Sequence, residues 1–192
     1  MRWLNPPPNH DWNSGRLTLV TADATDFWRT THYDFIHDNG HFCYQDVPGD
    51  FTAQVQVRAD YRALYDQAGL MIRLDEGRWI KAGIEHTDGL PHFSVVVTND
   101  HSDWSVTPLT AMRATPDAPV RIRMTRRAEA VLVQYAVGEH APWSMARLAY
   151  LSPAPAMIGM MACSPKRAGL AVIFDQFHVG PAIAESLHAG ES

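Results

Sequence analysis

The sequence predicts an all-β fold, an antiparallel β-sandwich of jelly-roll type. Three observations carry the prediction. Apolar and polar residues alternate with period two in segment after segment, short Gly- and Asx-rich turns separate those segments, and apolar spacing at three and four residues is almost absent. Such strands have one buried and one polar face, and close turns between them demand antiparallel neighbours.

In chain order, the predicted strands are Leu17–Thr21, Phe42–Val47, Phe51–Arg58, Ala68–Leu74, Trp79–His86, His92–Thr98, Val120–Met124, Val131–Val137, Met157–Cys163 and Leu170–Phe177. In the third, Phe51, Ala53, Val55 and Val57 share one face, while Thr52, Gln54, Gln56 and Arg58 share the other. A further strand at Ser102-Asp103-Trp104-Ser105 follows the turn at Asn99-Asp100-His101. Asp38-Asn39-Gly40 predicts a tight hairpin turn, and Asp75-Glu76-Gly77 a three-residue loop with Gly77 left-handed. Asp88-Gly89 and Asp117-Ala118-Pro119 mark two more turns. Only Pro181–His188 reads as helix.

The length of 192 residues suits one domain, assigned to 1–180, with a tail at 181–192. With 46% hydrophobic residues the core needs no staple, and 19% charged residues argue against long disordered stretches. A net charge of −5, with no basic run beyond Arg126-Arg127, disfavours nucleic acid as a partner. Cys43 and Cys163 lie in apolar segments and read as free core thiols. Met1–Pro8 lacks the apolar stretch of a signal peptide, and Ala154–Cys163 is half a membrane span, so a cytoplasmic protein without a membrane partner is expected. His37 and His41 are four apart, but Asn39-Gly40 breaks any helix that would align their rings. No calcium-type Asp-x-Asp-x-Asp loop occurs either, so no metal and no cofactor is expected.

The middle of the chain is the most informative. A three-residue loop at 75–77 makes the numbers of opposed residues sum to 152, which pairs Gln67 with Glu85, Met71 with Lys81 and Arg73 with Trp79. The core partners Ile72–Ile80 and Leu70–Ala82 match in the same register. Pairing Ile84 with Phe93 sets His92 beside Glu85 and Ser94 beside Gly83. One sheet face then presents Gln67, Arg73, Trp79, Lys81, Glu85, His92 and Ser94 on three adjacent strands. Sugars bind by laying C–H faces on an indole while planar polar side chains take the hydroxyls, and Trp79 among these neighbours supplies both halves. Gly69 and Gly83 are expected to leave room above the sheet. The structural alternative is a solvated face with a Lys81–Glu85 ion pair, or a face covered by the long segments at 22–41 or 99–119.

Several segments together resemble a known family. They are Thr25-Asp26-Phe27-Trp28-Arg29, Asp38-Asn39-Gly40-His41-Phe42, Tyr65-Asp66-Gln67-Ala68-Gly69-Leu70-Met71, Trp79-Ile80-Lys81-Ala82-Gly83-Ile84-Glu85, Ser94-Val95-Val96-Val97-Thr98 with Ser102-Asp103-Trp104-Ser105, and Val172-Ile173-Phe174-Asp175-Gln176-Phe177. Over residues 3–179 the chain is similar to an uncharacterised family named after a yeast "regulation of enolase" protein. That family is assigned to the concanavalin A-like lectin/glucanase superfamily. The resemblance implies a jelly roll with a concave face and puts Asp66, Gln67, Trp79, Lys81, Glu85, Asp103 and Trp104 in the family's motifs, with no activity attached.

A glycoside hydrolase needs two carboxyl groups, ~5–5.5 Å apart for retention and ~6.5–9.5 Å for inversion. Glucanases of the superfamily carry Glu-x-Asp-x-(x)-Glu on one strand. Here Ile84-Glu85-His86-Thr87-Asp88 departs from that pattern, leaving Glu85 as the sole strand acid, with Asp66 or Asp103 as a partner from elsewhere. No Gly-x-Ser-x-Gly element supports nucleophilic catalysis. Trp104 either lines the groove or fills the core, and Asp26 either caps a turn or contacts ligand. The reading is a domain that binds a carbohydrate-like ligand through Asp66, Gln67, Arg73, Trp79, Lys81, Glu85, His92 and Trp104, with Arg73 and Lys81 selecting hydroxyl-rich or acidic sugars. Two rivals stand beside it: a regulatory interaction domain with a metabolic enzyme as partner, and a carbohydrate-active hydrolase using Glu85. No element specifies an oligomeric state.

Overall fold

The computed structural model describes residues 1–113 and 118–184. In chain order the strands are β1 (Arg2–Leu4), β2 (Asn9–Asn13), β3 (Arg16–Val20), β4 (Phe27–Arg29), β5 (Ile36–Asp38), β6 (His41–Val47), β7 (Phe51–Ala59), β8 (Gln67–Arg73), β9 (Arg78–Thr87), β10 (Leu90–Asn99), β11 (His101–Pro108), β12 (Val120–Arg127), β13 (Ala130–Val137), β14 (Ser144–Tyr150), β15 (Ala156–Cys163) and β16 (Ala171–Gly180). One 3₁₀ turn covers Thr110–Arg113.

Two seven-stranded antiparallel sheets face each other. The front sheet runs β1-β6-β15-β8-β9-β10-β11 and the back sheet β14-β13-β12-β7-β16-β3-β2. Their inner faces enclose the main core, with Leu70, Ile72, Ile80, Ala82, Ile84, Phe93 and Val95 in front and Phe51, Val55, Val57, Ile122, Met124, Val133 and Phe174 behind. The fold is thus the jelly-roll sandwich that the alternation predicts. The predicted register is also present: Gln67 opposes Glu85, Met71 Lys81, Arg73 Trp79, His92 Glu85 and Ser94 Gly83. Parity explains why, since a slip of one residue would turn Leu70, Ile72, Ile80 and Ala82 out of the core.

Turn details differ in places. Asp88 and Gly89 both have φ > 0, at 52° and 74°, as a two-residue type I′ hairpin requires. Gly77 is not left-handed. A Cβ there would come 2.9 Å from Asp100 Oδ1, the end of a side chain that can move aside, so neither turn geometry nor packing requires the glycine. Asp38-Asn39-Gly40 is no hairpin: β5 pairs with β4, whereas β6 pairs with β1 and β15. Gly40 is needed because a Cβ would lie 2.4 Å from the Phe27 ring and 2.6 Å from Cys163 Sγ. Gly69 and Gly83 likewise do not clear space for a ligand. They oppose each other, and a Cβ on either would meet the partner strand's carbonyl oxygen at 2.1–2.2 Å. Residues 181–184 are not helical, and the remainder of the predicted tail helix lies outside the described residues, as does Asp117 of the 117–119 turn.

Between β3 and β6 the chain crosses the outer face of the front sheet as a roof carrying the small β4-β5 ribbon. Asn39 ties the roof's ends, accepting from the Asp26 amide (3.0 Å) and donating to Ala24 O (2.9 Å). Asn5 Nδ2 donates to Asp38 O (2.8 Å), and the Arg29 amide donates to Ser102 Oγ (3.0 Å). His41 takes the Ala22 amide on Nε2 (3.0 Å) and bonds Asn5 O through Nδ1 (2.7 Å), and burial lowers its pKa. Beneath the roof lies a second apolar cluster of Phe27, Trp28, Phe42, Met71, Trp79, Val96, Met161 and Cys163. The middle of the front sheet is therefore buried on both faces, and every residue of β8 is buried.

Trp79 belongs to this second core. It is 1% exposed, with the Phe27 ring edge-on at 6.3 Å and its indole N–H donating to Glu76 O at 3.2 Å. Trp79→Ala is expected to cost ~3–5 kcal/mol of stability, the range for emptying a buried aromatic site. Urea unfolding checks this; a variant as stable as the wild type would contradict the packing.

Candidate functional site

The roof does not cover the front sheet completely. Where β8, β9 and β10 carry Gln67, Glu85 and Val96 outward, a cavity of about 200 Å³ remains. Gln67, Lys81, Glu85 and Val96 floor it, and Asp26, Trp28, Tyr33, Phe35 and His37 of the roof close one side. Tyr65 and Trp104 close the other, with Ala24, Pro165 and Lys166 completing the lining. Trp104 reaches this face because β11 pairs it with Val96, itself opposite Lys81.

The polar floor is tightly organised. Lys81 is 3% exposed, and its ammonium donates to Phe27 O (2.7 Å), Gln67 Oε1 (2.8 Å) and Asp26 Oδ1 (3.2 Å). Burial disfavours that charge, but Asp26, Cys163 and Glu85 outweigh it, so its pKa lies above the ordinary lysine value. Glu85 is 4% exposed and accepts the Trp104 indole N–H at 3.2 Å, a proton shared with Ser94 Oγ at 3.1 Å. Burial pushes its carboxyl above the usual glutamate range, only partly countered by Lys81 and the Ser94 hydroxyl. Asp26 both caps and lines: Oδ1 accepts the Phe27 amide at 2.8 Å, and the carboxylate borders the cavity. Cys163 is buried and its thiol pushed well up by burial, so it is no activated nucleophile.

Aromatic rings form the walls. Trp28 meets Tyr33 edge-on at 5.8 Å, Tyr33 stacks on Phe35 at 5.3 Å, and Tyr65 meets Trp104 edge-on at 6.5 Å. The Tyr33 and Tyr65 hydroxyls bond each other at 2.8 Å across the opening, and this bond chiefly raises the Tyr65 pKa to about 12. The backbone around the cavity is unusual: Ala24, Thr30, His32, Asp34 and Tyr65 all have φ between 53° and 68°. Non-glycine residues rarely adopt that region; Ala24 and Tyr65 line the cavity, and Asn5, Ser14, Asp88, Asp100, Ala128 and Gln176 adopt it elsewhere in the chain.

Of the residues expected to bind ligand, Gln67, Lys81, Glu85 and Trp104 come together here and four others do not. Trp79 is no stacking platform, because the Phe27 side of the roof covers it. Arg73 is spent on Asp38, forking onto its two oxygens at 2.6 and 2.8 Å. Asp66 is fully buried; it accepts the Arg62 and Ala63 amides and is gripped by Arg167 at 2.6 Å. His92 is buried with Nδ1 on Leu90 O at 3.0 Å. With Arg73 and Lys81 both engaged, selection of acidic sugars loses its basis. As second carboxylates, Asp66 is internal and Asp103 points to Arg147 (3.0 Å); Asp26 stands in the cavity instead. Sequence reasoning named none of Tyr33, Phe35, His37, Tyr65 and Lys166 as ligand-binding: it weighed His37 only as a metal ligand and quoted Tyr65 only within a family motif. The alternation Tyr33-x-Phe35-x-His37 was the available signal for three of them.

Fold and pocket define a class: a lectin/glucanase-type jelly-roll sandwich with an aromatic-walled pocket on its front sheet. The chain belongs to the family described as "Protein of unknown function (DUF1349)", whose model matches residues 3–182. It is 40% identical over 190 residues to "Regulation of enolase protein 1" of Saccharomyces cerevisiae, covering 97% of this chain and 92% of that protein. The crystal structure of a functionally unknown protein from the same yeast matches at TM-score 0.89 and 38% identity, over 95% of this chain and 97% of that one. A GH43 protein from Bacillus licheniformis shares the fold at TM-score 0.67 and 16% identity, over 89% of this chain and 34% of that one.

The raised Glu85 pKa sets a pH signature. Because burial raises the Glu85 pKa, its contribution to stability is fully present below the unfolded value near 4.5 and is lost as pH rises through the folded pKa. Glu85→Gln keeps the shape without the titration. Its melting temperature relative to wild type is expected to climb as pH rises above ~4.5. A difference that stays constant with pH would contradict the burial of an ionisable group there.

Proposed function

We propose that the front-sheet pocket binds a small hydroxyl-rich ligand, a saccharide or saccharide derivative. One observation carries the reading: aromatic rings wall a closed-sided cavity whose floor holds buried, ligand-facing Glu85, Lys81 and Gln67. Apolar walls with a few fixed polar groups are the pattern of small-molecule sites. Trp104, 38% exposed and held by Glu85 and Ser94, is the stacking platform in place of Trp79. Gln67 and Glu85 meet the hydroxyls. The GH43 neighbour supports the fold on which such sites are built. Two free buried thiols suit a reducing, cytoplasmic setting.

The relative's name brings a second reading, docking onto a metabolic enzyme such as enolase. Edge strand β14 favours it, with Met145, Leu148 and Tyr150 exposed in a row. A hydrolytic reading rests on Asp26 beside Glu85, two carboxylates in one cavity.

A thermal-shift screen against mono- and oligosaccharides, run on wild type and Trp104→Ala, tests the proposal. A dose-dependent rise in wild type that Trp104→Ala lacks is expected, since loss of one ring contact weakens stacking by ~1 kcal/mol or more. No shift with any saccharide, together with co-elution with purified enolase, would replace the saccharide reading with the docking one. Sugar product that accumulates with wild type but not with Glu85→Gln would make the pocket an active site.

A further inference from the structure

We propose that the ligand of the front-sheet pocket carries a protonated amine, so that among saccharides the site prefers an amino sugar to its neutral and acidic counterparts. The saccharide part rests on the function proposed above; the amine is read from the pocket's own charges and unused hydrogen-bonding atoms.

The first point concerns protons. The Lys81 ammonium has three, and three acceptors take them: Phe27 O, Gln67 Oε1 and Asp26 Oδ1. Lys81 has none left to give a ligand. Acceptors, in contrast, remain. Asp26 Oδ2 receives no hydrogen bond from any described residue. Glu85 meets only the Trp104 indole N–H, shared with Ser94, and the Ser94 hydroxyl, against about four lone-pair sites on a carboxylate. The Tyr33–Tyr65 hydroxyl bond consumes one of that pair's two protons. At the floor the open acceptor sites of Asp26 Oδ2 and Glu85 outnumber the donors, which are the second Gln67 Nε2 proton and the remaining tyrosine proton. A sugar hydroxyl brings one proton, and an ammonium brings three.

The second point concerns charge. Two carboxylates, Asp26 and Glu85, stand against one ammonium at the floor, which leaves it negative by one when both acids are ionised. Lys166 is the opposing cation, but it is exposed at the mouth, where water and salt screen it. His37, half-buried on the roof side, is the remaining titratable group besides the two tyrosines. Burial favours the neutral form of Glu85, and an incoming ammonium compensates the ionised one. Arg73 is committed to Asp38 and Lys81 as above, which leaves a sugar acid only the exposed Lys166.

The third point concerns the walls. Trp28, Tyr33, Phe35, Tyr65 and Trp104 surround the space above the acids. Aromatic faces carry negative potential, and rings around a cation with a carboxylate at the base form the cage that recognises ammonium groups.

Intrinsic tryptophan fluorescence of the full chain near neutral pH provides the test. The probes are glucosamine and galactosamine, their neutral parents glucose and galactose, the N-acetylated forms, glucuronic acid, and tetramethylammonium as a cation without hydroxyls. The amino sugars are expected to bind about tenfold more tightly than their parents, equivalent to ~1.4 kcal/mol, and more tightly than the uncharged N-acetyl forms. Glu85→Gln, isosteric and uncharged, is expected to bring that ratio to within about twofold. Equal affinity for amino and neutral sugars, or a preference for glucuronic acid, would overturn the amine and leave the saccharide reading standing. Binding of tetramethylammonium with no response to any neutral sugar would uphold the cation and remove the saccharide. Silence from every probe overturns both.

Discussion

The buried ammonium of Lys81 is the contact on which the site depends. It rises from the middle of β9, in the part of the sheet where register and core packing are most constrained, and reaches through the outer face to Asp26 and Phe27 O of the roof. Removing such a charge from water costs several kcal/mol unless its protons are all taken. Here they are, one by a carboxylate, one by a main-chain carbonyl and one by the Gln67 amide oxygen. The same three bonds position Asp26 and Gln67 at the floor and hold the start of the roof over the sheet. An interaction that satisfies a buried cation therefore also builds the cavity.

From that anchor the rest follows by packing. With Phe27 held at the sheet, its ring closes over Trp79 and reaches Gly40, where only a missing Cβ allows the approach. The ribbon of β4 and β5 then has to turn back within a few residues, and left-handed Thr30, His32 and Asp34 record that constraint. The turn brings Tyr33 and Phe35 to the open side, where Tyr33 meets Tyr65. Burying Phe27 and Trp79 stabilises the roof, and the strained turn spends part of that stability on presenting aromatic rings to the cavity.

Much of this was legible in the sequence, for a definite reason. Period-two alternation determines which residues share a face, so the pairings Gln67–Glu85, Met71–Lys81 and His92–Glu85 follow from pattern and loop length alone. Alternation does not report what covers a face. Trp79 and Trp104 point to the same side of the same sheet, yet one is sealed under Phe27 and the other opens to solvent. The difference comes from a segment fifty-odd positions upstream, joined to the sheet through Lys81 and Asp26. Arg73 was misread for the same reason, since its partner Asp38 lies on that segment. Asp38-Asn39-Gly40 has the composition of a hairpin turn, and only the pairing of β5 with β4 and of β6 with β1 and β15 shows that it is a crossing point.

The central claim is that Lys81 holds the roof over the pocket, and hydrogen exchange in Lys81→Met tests it most directly. Methionine keeps the stem and deletes the buried charge, so half-buried Asp26 loses its cation and the roof loses its bonds to β9 at Asp26 and Phe27 O. The roof amides that bond within or onto the segment, among them Thr30, Asp34 and Gly40, are expected to exchange at least ~100-fold faster relative to amides of β7 and β12. Roof amides that keep their wild-type protection while the sheets stay folded would contradict the account.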